Sequence, residues 1–198
     1  MRIVVAAQSL FLERGVQAVS FADVALNLRL SVATIEHHFP SGKPSLVEAS
    51  LTAYVEDFNR RLAAQRQQCS NAVEELLTLR RTLREVPEEA RSQYMQELAM
   101  HYPTQWRQLY ELRAAFTVEY LRDNVRRGLA EGLYRAGLEP DEQAQHWLAQ
   151  AAQLVATAHT AQAQAEAFGE QLTEFLTSLL TPVGTYVFRR LQESPPYY

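Results

Sequence analysis

The chain has 198 residues, a formal charge of −4, seven glycines, one cysteine and 47% hydrophobic residues. That length suits one large domain or two small ones, and sparse glycine with abundant Ala, Leu, Gln, Glu and Arg favours helix over sheet. The lone Cys69 excludes an intrachain disulfide or a cysteine-built metal cluster and suits a reducing cytoplasm, and no apolar run approaches the length of a membrane span.

The apolar start RIVVAAQSLFL has the look of a signal peptide. Gln8 and Ser9 interrupt it, its apolar residues recur with helical period, and Glu13-Arg14 follow, so it reads as a first helix. Ile3, Ala7, Leu10 and Phe11 form one face, and Gly15 is placed as a left-handed cap. Only Met1 and Arg2 precede this helix, so no basic minor-groove arm is expected. Ser20 is a good N-cap, and Asp23 closes a capping box with it. Phe21, Val24, Ala25 and Leu28 then fall at i, i+3, i+4 and i+7, the stripe of a two-turn helix. Asn27 to Leu30 reads as the turn, and Ser31 caps a third helix with Val32, Ile35 and Phe39 inward and Ala33, Thr34, Glu36, His37 and His38 outward. Two short helices joined by a brief turn, the second with polar groups outward, make the pattern of a helix-turn-helix whose second helix enters the DNA major groove.

LFLERGVQAVSFADVALNLRLSVATIEHHFPSGKPSLVEA resembles the DNA-binding domain of TetR (tetracycline-repressor-like) bacterial regulators. Phe11, Gly15, Ser20, Ala25, Ser31, Thr34, His38, Phe39 and Lys43 stand where that family's pattern has them. The sequence departs at Arg29, where glycine is common, at Val32, often lysine, and at Glu36, usually tyrosine. The resemblance implies an all-α fold with a three-helix reader over residues 1–46, and a bundle over residues 47–198 for ligand binding and dimerisation. It also implies a cytoplasmic transcriptional regulator, most often a repressor, with partners in double-stranded operator DNA, a small-molecule effector and a second copy of the chain. Thr34 and His37 are expected nearest base edges, with Ala33 offering a methyl contact to thymine. Ser20, His38 and Lys43 are expected on phosphates, with Arg29 adding another. Ser31, Val32 and Glu36 complete the candidate DNA surface.

Residues 1–50 carry four basic groups (Arg2, Arg14, Arg29, Lys43) and four acidic ones (Glu13, Asp23, Glu36, Glu48). A DNA reader has a basic footprint, and this one is thin. The neutral reader, the missing arm and Glu36 favour an alternative: a helical ligand- or partner-binding protein whose degenerate helix-turn-helix no longer binds DNA.

Pro40-Ser41-Gly42 breaks the third helix. Pro44 suits the first turn of a fourth, running to about Gln67 with Leu51, Tyr54, Val55, Phe58 and Leu62 inward. This helix is the expected mechanical link between reader and bundle. A fifth covers Asn71–Val86 with Val73, Leu76, Leu77, Leu83 and Val86. A sixth opens at Pro87 with Glu88-Glu89 and ends near His101. The seventh, Thr104–Tyr134, carries Trp106, Leu109, Tyr110, Phe116, Tyr120 and Leu121, and ends in NVRRGLAEGLYRAGL. Many TetR-family members hold a similar Asn-x-x-x-Gly-x-x-x-Gly-Leu-Tyr-Arg segment. Pro140 begins an eighth helix to about Thr160, Ala165–Leu180 forms a ninth that Pro182 stops, and Val183–Gln192 a short last one. Ser194–Tyr198 is expected to be disordered.

Tyr54, Phe58, Tyr94, Tyr102, Trp106, Tyr110 and Phe116 include several phenols and an indole, groups that hydrogen-bond inside an apolar cavity. In the TetR family the matching domain holds a small-molecule pocket, so these are the candidate lining, for a small and largely apolar or aromatic ligand. Helices 8 and 9 spread apolar residues over more than one face, and a wide stripe needs a second partner. Trp147, Ala151, Leu154, Val155, Leu172, Phe175 and Leu179 are the candidate faces of a four-helix homodimer interface. No nucleophile motif, phosphate loop or His-Glu-x-x-His occurs among the five histidines, so no enzyme, cofactor or metal is expected.

Overall fold

A computed structural model describes residues 2–84, 88–157 and 161–193. Those residues form ten helices: α1 (Arg2–Arg14), α2 (Phe21–Leu28), α3 (Val32–His38), α4 (Lys43–Gln68), α5 (Ala72–Arg84), α6 (Glu88–His101), α7 (Pro103–Ala130), α8 (Pro140–Thr157), α9 (Ala161–Leu179) and α10 (Pro182–Glu193). The all-helical expectation holds. Among the described residues the one extended pairing is an isolated antiparallel bridge between Tyr134 and Leu180. Val86, Pro87, Thr160 and the Ser194–Tyr198 tail, all read above, lie outside the described residues.

The chain divides into two compact units, Met1–Arg60 with Pro87–Arg113, and Arg61–Val86 with Ala114–Tyr198. In the first, helix α1 buries Ala6, Ala7, Leu10 and Phe11 and stops at Gly15, whose φ is +82°. Only glycine takes that left-handed turn at no steric cost. One apolar cluster then runs from Phe11 and Val16 through Val24, Ala25 and Ile35 to Leu46, Val47 and Leu51, and continues into Tyr94 and Leu98 of α6 and Leu109 of α7. Neither α2 nor α3 exceeds eight residues, well below the ~12–15 needed for even marginal helicity in isolation. Burial in this cluster is what holds them helical.

In the second unit α9 packs against both α5 and α8, and α10 against α5. Leu76, Leu121, Leu172, Leu176 and Leu179 are almost fully buried there. A polar knot lies under them. Glu75 is wholly buried between the guanidinium of Arg66, 3.2 Å away, and that of Arg127, 3.1 Å away. Burial pushes the Glu75 carboxyl upward while the two arginines oppose the shift. Arg127 also donates to the Cys69 carbonyl at 2.8 Å and pairs with Glu131 at 2.7 Å.

The end of α7 corrects the expected boundary. The helix stops at Ala130 rather than Tyr134, because Gly132 turns the backbone at φ +68°. Tyr134 then folds back so that its hydroxyl donates to the buried Asn124 Oδ1 at 2.9 Å, while Asn124 Nδ2 donates to the Ala72 carbonyl at 2.9 Å. A Cβ on Gly128 would stand 2.1 Å from the Tyr134 ring. The Asn-x-x-x-Gly-x-x-x-Gly-Leu-Tyr segment is therefore one device: a hydrogen-bonding anchor, a bare patch for the ring and a left-handed stop. Two further boundaries differ. Helix α9 starts at Ala161 rather than Ala165, and Pro182 is the first residue of α10 rather than only the end of α9, the position where proline's missing N–H costs nothing.

Gly128→Ala should destabilise the chain by about 1–3 kcal/mol through overpacking against Tyr134. Gly132→Ala, with nothing within 4 Å of its added carbon, should cost only about 1 kcal/mol from its positive φ. Denaturant melts of the two variants check the order, and equal costs would mean that Tyr134 does not lie on Gly128.

Candidate nucleic-acid interface

The reader's geometry starts from two caps. Ser20 accepts from the Asp23 N–H at 3.2 Å while its own N–H donates to the Asp23 carboxylate at 2.7 Å, the full capping box. The Ser20 hydroxyl also donates to Asp23, and this hydrogen bond is the main reason the Asp23 carboxyl sits below its ordinary value. Ser31 accepts from the Thr34 N–H at 3.1 Å and shares a hydrogen bond with the Thr34 hydroxyl at 2.8 Å.

Between the caps, α2 ends in a Schellman turn. Leu30 N–H reaches the Ala25 carbonyl at 2.9 Å and Arg29 N–H the Leu26 carbonyl at 3.2 Å, with Arg29 left-handed at φ 57°. Among the described residues Arg29 is the one non-glycine at positive φ, at the position where the family pattern has glycine. Asn27 and Leu28, read as part of the turn, are the last turn of α2.

Helix α3 buries Ile35 and leaves Ala33, Glu36, His37 and His38 exposed, with Thr34 half-buried. Val32, expected inward, is 40% exposed. Val32, the first residue of α3, is outside the cluster that Ile35 enters, and Phe39 is half-buried at the C-cap. His37 and His38 stand edge to face, ring centroids 5.8 Å apart. Lys43 opens α4, and its Nζ donates to the Gln17 carbonyl at 3.2 Å. Half-burial lowers its proton affinity, while Glu97 and Asp23 oppose that shift.

Residues 3–49 match the family model described as "Bacterial regulatory proteins, tetR family". The N-terminal domain belongs to the tetR family. No curated protein matches the chain in sequence. Solved structures share its fold along most of its length. A transcriptional regulator from Cytophaga hutchinsonii is 15% identical over 90% of this chain and 97% of its own, with a TM-score of 0.73. A transcriptional regulator of the TetR family from Agrobacterium tumefaciens is 23% identical over 91% and 96%, with a TM-score of 0.62. A regulator from Saccharomonospora viridis, solved in complex with choline, is 22% identical over 91% and 96%, with a TM-score of 0.64.

Within the tetR-family domain, the motif's hydroxyls are occupied by the fold: Ser20 and Ser31 cap helices and Thr34 bonds Ser31. The outward groups are Arg29, Val32, Ala33, Glu36, His37 and His38, all exposed. Of the aromatic set, Tyr94 is 1% exposed, and its buried hydroxyl has no hydrogen-bond partner among the described residues. Tyr54, Tyr102 and Trp106 pack half-buried on the cluster that contains it. Phe58 is half-buried and Tyr110 is 40% exposed. Phe116 falls in the second unit, its ring centroid 5.9 Å from that of Tyr120. An open groove of about 460 Å³ along α1 and α2, lined by Val5, Leu10, Glu13, Asn27 and Leu28 among others, involves none of these rings.

In the second unit, Trp147, Ala151, Leu172, Phe175 and Leu179 are buried within the single chain, and Leu154 is half-buried. The side chain of Val155 lies outside the described residues. Helix α5 of the same chain also packs against α9. Sequence reasoning missed Glu97 and Gln17, whose pairing has no local signature: the residues are 80 positions apart.

Arg29→Gly removes a left-handed Cβ that costs about 1–2 kcal/mol, partly offset by about 0.5–1 kcal/mol from glycine's freedom in the unfolded chain. The variant should be more stable by roughly 0.5–1 kcal/mol in a denaturant melt. A loss of stability would mean that the Arg29 side chain contributes more than its backbone strain costs.

Proposed function

We propose that the chain is a ligand-responsive transcriptional regulator, a repressor, that binds operator DNA as a homodimer. The observation that carries the DNA part is the capped helix-turn-helix in a tetR-family domain, with the α3 surface of Val32, Ala33, Glu36, His37 and His38 exposed. His37 reads base edges, Ala33 and Val32 meet thymine methyls, and Arg29, His38 and Lys43 hold phosphates, which position the protein without reading sequence. Ser20, Ser31 and Thr34 set the angle of α3 through their caps, and Thr34 reaches a base only by exchanging its bond to Ser31.

The effector part rests on the Tyr94 hydroxyl, which has no partner among the described residues. A buried polar group without a partner costs about 1–3 kcal/mol, so a ligand that hydrogen-bonds it gains that much on entering. Tyr54, Phe58, Tyr102 and Trp106 supply an apolar surround, which suits a small aromatic or largely apolar molecule carrying one polar group. Tyr110 forms its outer edge, and Phe116 lies beyond the unit that holds these rings. The choline bound by the Saccharomonospora viridis regulator makes a small cation the natural competing class, since aromatic faces also attract quaternary ammonium. The dimer part rests on α8 and α9, with half-buried Leu148, Leu154 and Phe168 as the apolar positions nearest a partner.

Selection of duplexes from a random pool, followed by mobility shift, tests the central reading. The protein should retain a discrete palindromic sequence. Lys43→Ala should weaken all duplexes alike and reduce the salt slope by roughly one unit, while His37→Ala should relax preference at one position. Retention of no duplex would instead favour a helical binding protein that keeps the helix-turn-helix only as scaffold. Thermal shift with 1-naphthol and with choline separates the ligand classes: naphthol should raise the melting point in the wild type and fail to do so in Tyr94→Phe.

A further inference from the structure

The outward face of α1 carries opposite charges at its two ends. Arg2, Val5, Ser9 and Glu13 are all exposed, and at spacings of three and four they share one side of the helix. With Ala6 and Leu10 of α1 and Asn27 and Leu28 of α2 they line the open groove of about 460 Å³. Arg2 and Glu13 stand roughly 16–17 Å apart along the helix. Neither is placed for the stability of its own helix. The macrodipole favours anions at the N-terminus and cations at the C-terminus, and these two stand the other way round. The exposed Arg14 is 3.8 Å from Glu13, a solvent-screened pair that holds the carboxylate only weakly.

We propose that this face of α1 is a docking surface for a second copy of the chain, packed antiparallel about a twofold axis. An axis between Ala7 and Gln8 sets Arg2 against the partner's Glu13, Val5 over the partner's Leu10 and Ala6 against the partner's Ser9, and each pair occurs twice. Small residues at the centre let the two helices approach closely, and the groove receives Val5. The antiparallel arrangement also answers the macrodipole. It brings the partner's Glu13 beside the N-terminus of α1 and the partner's Arg2 beside its C-terminus. A partner of other chemistry would need the same charges in reverse order, and a second copy brings them by symmetry alone. Because α1 belongs to the reader, the contact joins reader to reader and is separate from the α8–α9 face. On neighbouring DNA sites it makes two regulators bind with each other's help, a consequence that rests on the DNA-binding reading, whereas the association itself does not.

Charge reversal tests the pairing in solution, with no DNA present. Sedimentation equilibrium of the full chain over a concentration series should show an association step that weakens as salt rises. Arg2→Glu sets carboxylates opposite each other at both ends of the contact, and Glu13→Arg sets guanidiniums there. Each variant alone should therefore lose roughly three- to thirtyfold in that step. An equimolar mixture of the two variants restores opposite charges at every position and should recover wild-type association. Both substitutions place charge as the macrodipole favours, so each variant should melt at or above the wild-type temperature, which separates lost contact from lost fold. Absence of a salt-sensitive step in the wild type overturns the proposal and leaves the DNA-binding reading standing. A step that neither variant weakens, or a mixture that associates no better than its components, overturns it equally.

Discussion

The apolar cluster that Phe11, Val47 and Leu51 share with Tyr94 and Leu98 is the contact on which the reader depends. Helices of seven and eight residues cannot repay their own nucleation in water, and their caps contribute only about 1 kcal/mol each. Tertiary burial must supply the rest. Part of that burial comes from α6, some fifty residues beyond the helix-turn-helix in sequence. Whatever shifts α6 therefore acts on the same side chains that hold α2 and α3 in place.

Polar chemistry is layered on that core. Ser20, Ser31 and Thr34 satisfy helix N-termini or one another, and Lys43 is bonded to the loop before α2. The free protein therefore holds its cation and hydroxyls in internal bonds and shows outward a surface of valine, alanine, histidine, glutamate and Arg29. A reader with so little positive charge would gain little from counterion release. In the second unit the same economy appears as the Glu75 knot, where one buried carboxylate is matched by two guanidiniums. Removing either partner of such a buried pair is far more costly than the pair is stabilising.

Elements governed by local rules were legible in the sequence. The Ser20–Asp23 box, the Ser31 cap, the Gly15 stop and the apolar stripes of α1 and α2 rest on spacings of three or four residues. Features set by distant neighbours were not. Tyr134 reads as one more apolar helical position until Asn124 and Gly128 are seen to receive it. Val32 reads as inward because a seven-residue helix carries too few turns to fix its phase. The stripe of α9 reads as a homodimer face, and its packing against α5 of the same chain has no signature in the local sequence. Glu75 looks like an ordinary surface glutamate because its arginine partners lie 9 and 52 positions away.

Native-state hydrogen exchange on the full chain addresses the shared core most directly. Amides of Val24, Ala25 and Ile35 should exchange through the same opening as those of Tyr94 and Leu98, with one free energy and one denaturant slope. Exchange of the α6 amides through a separate, lower-energy opening, with α2 and α3 still protected, would contradict the claim that α6 holds the reader.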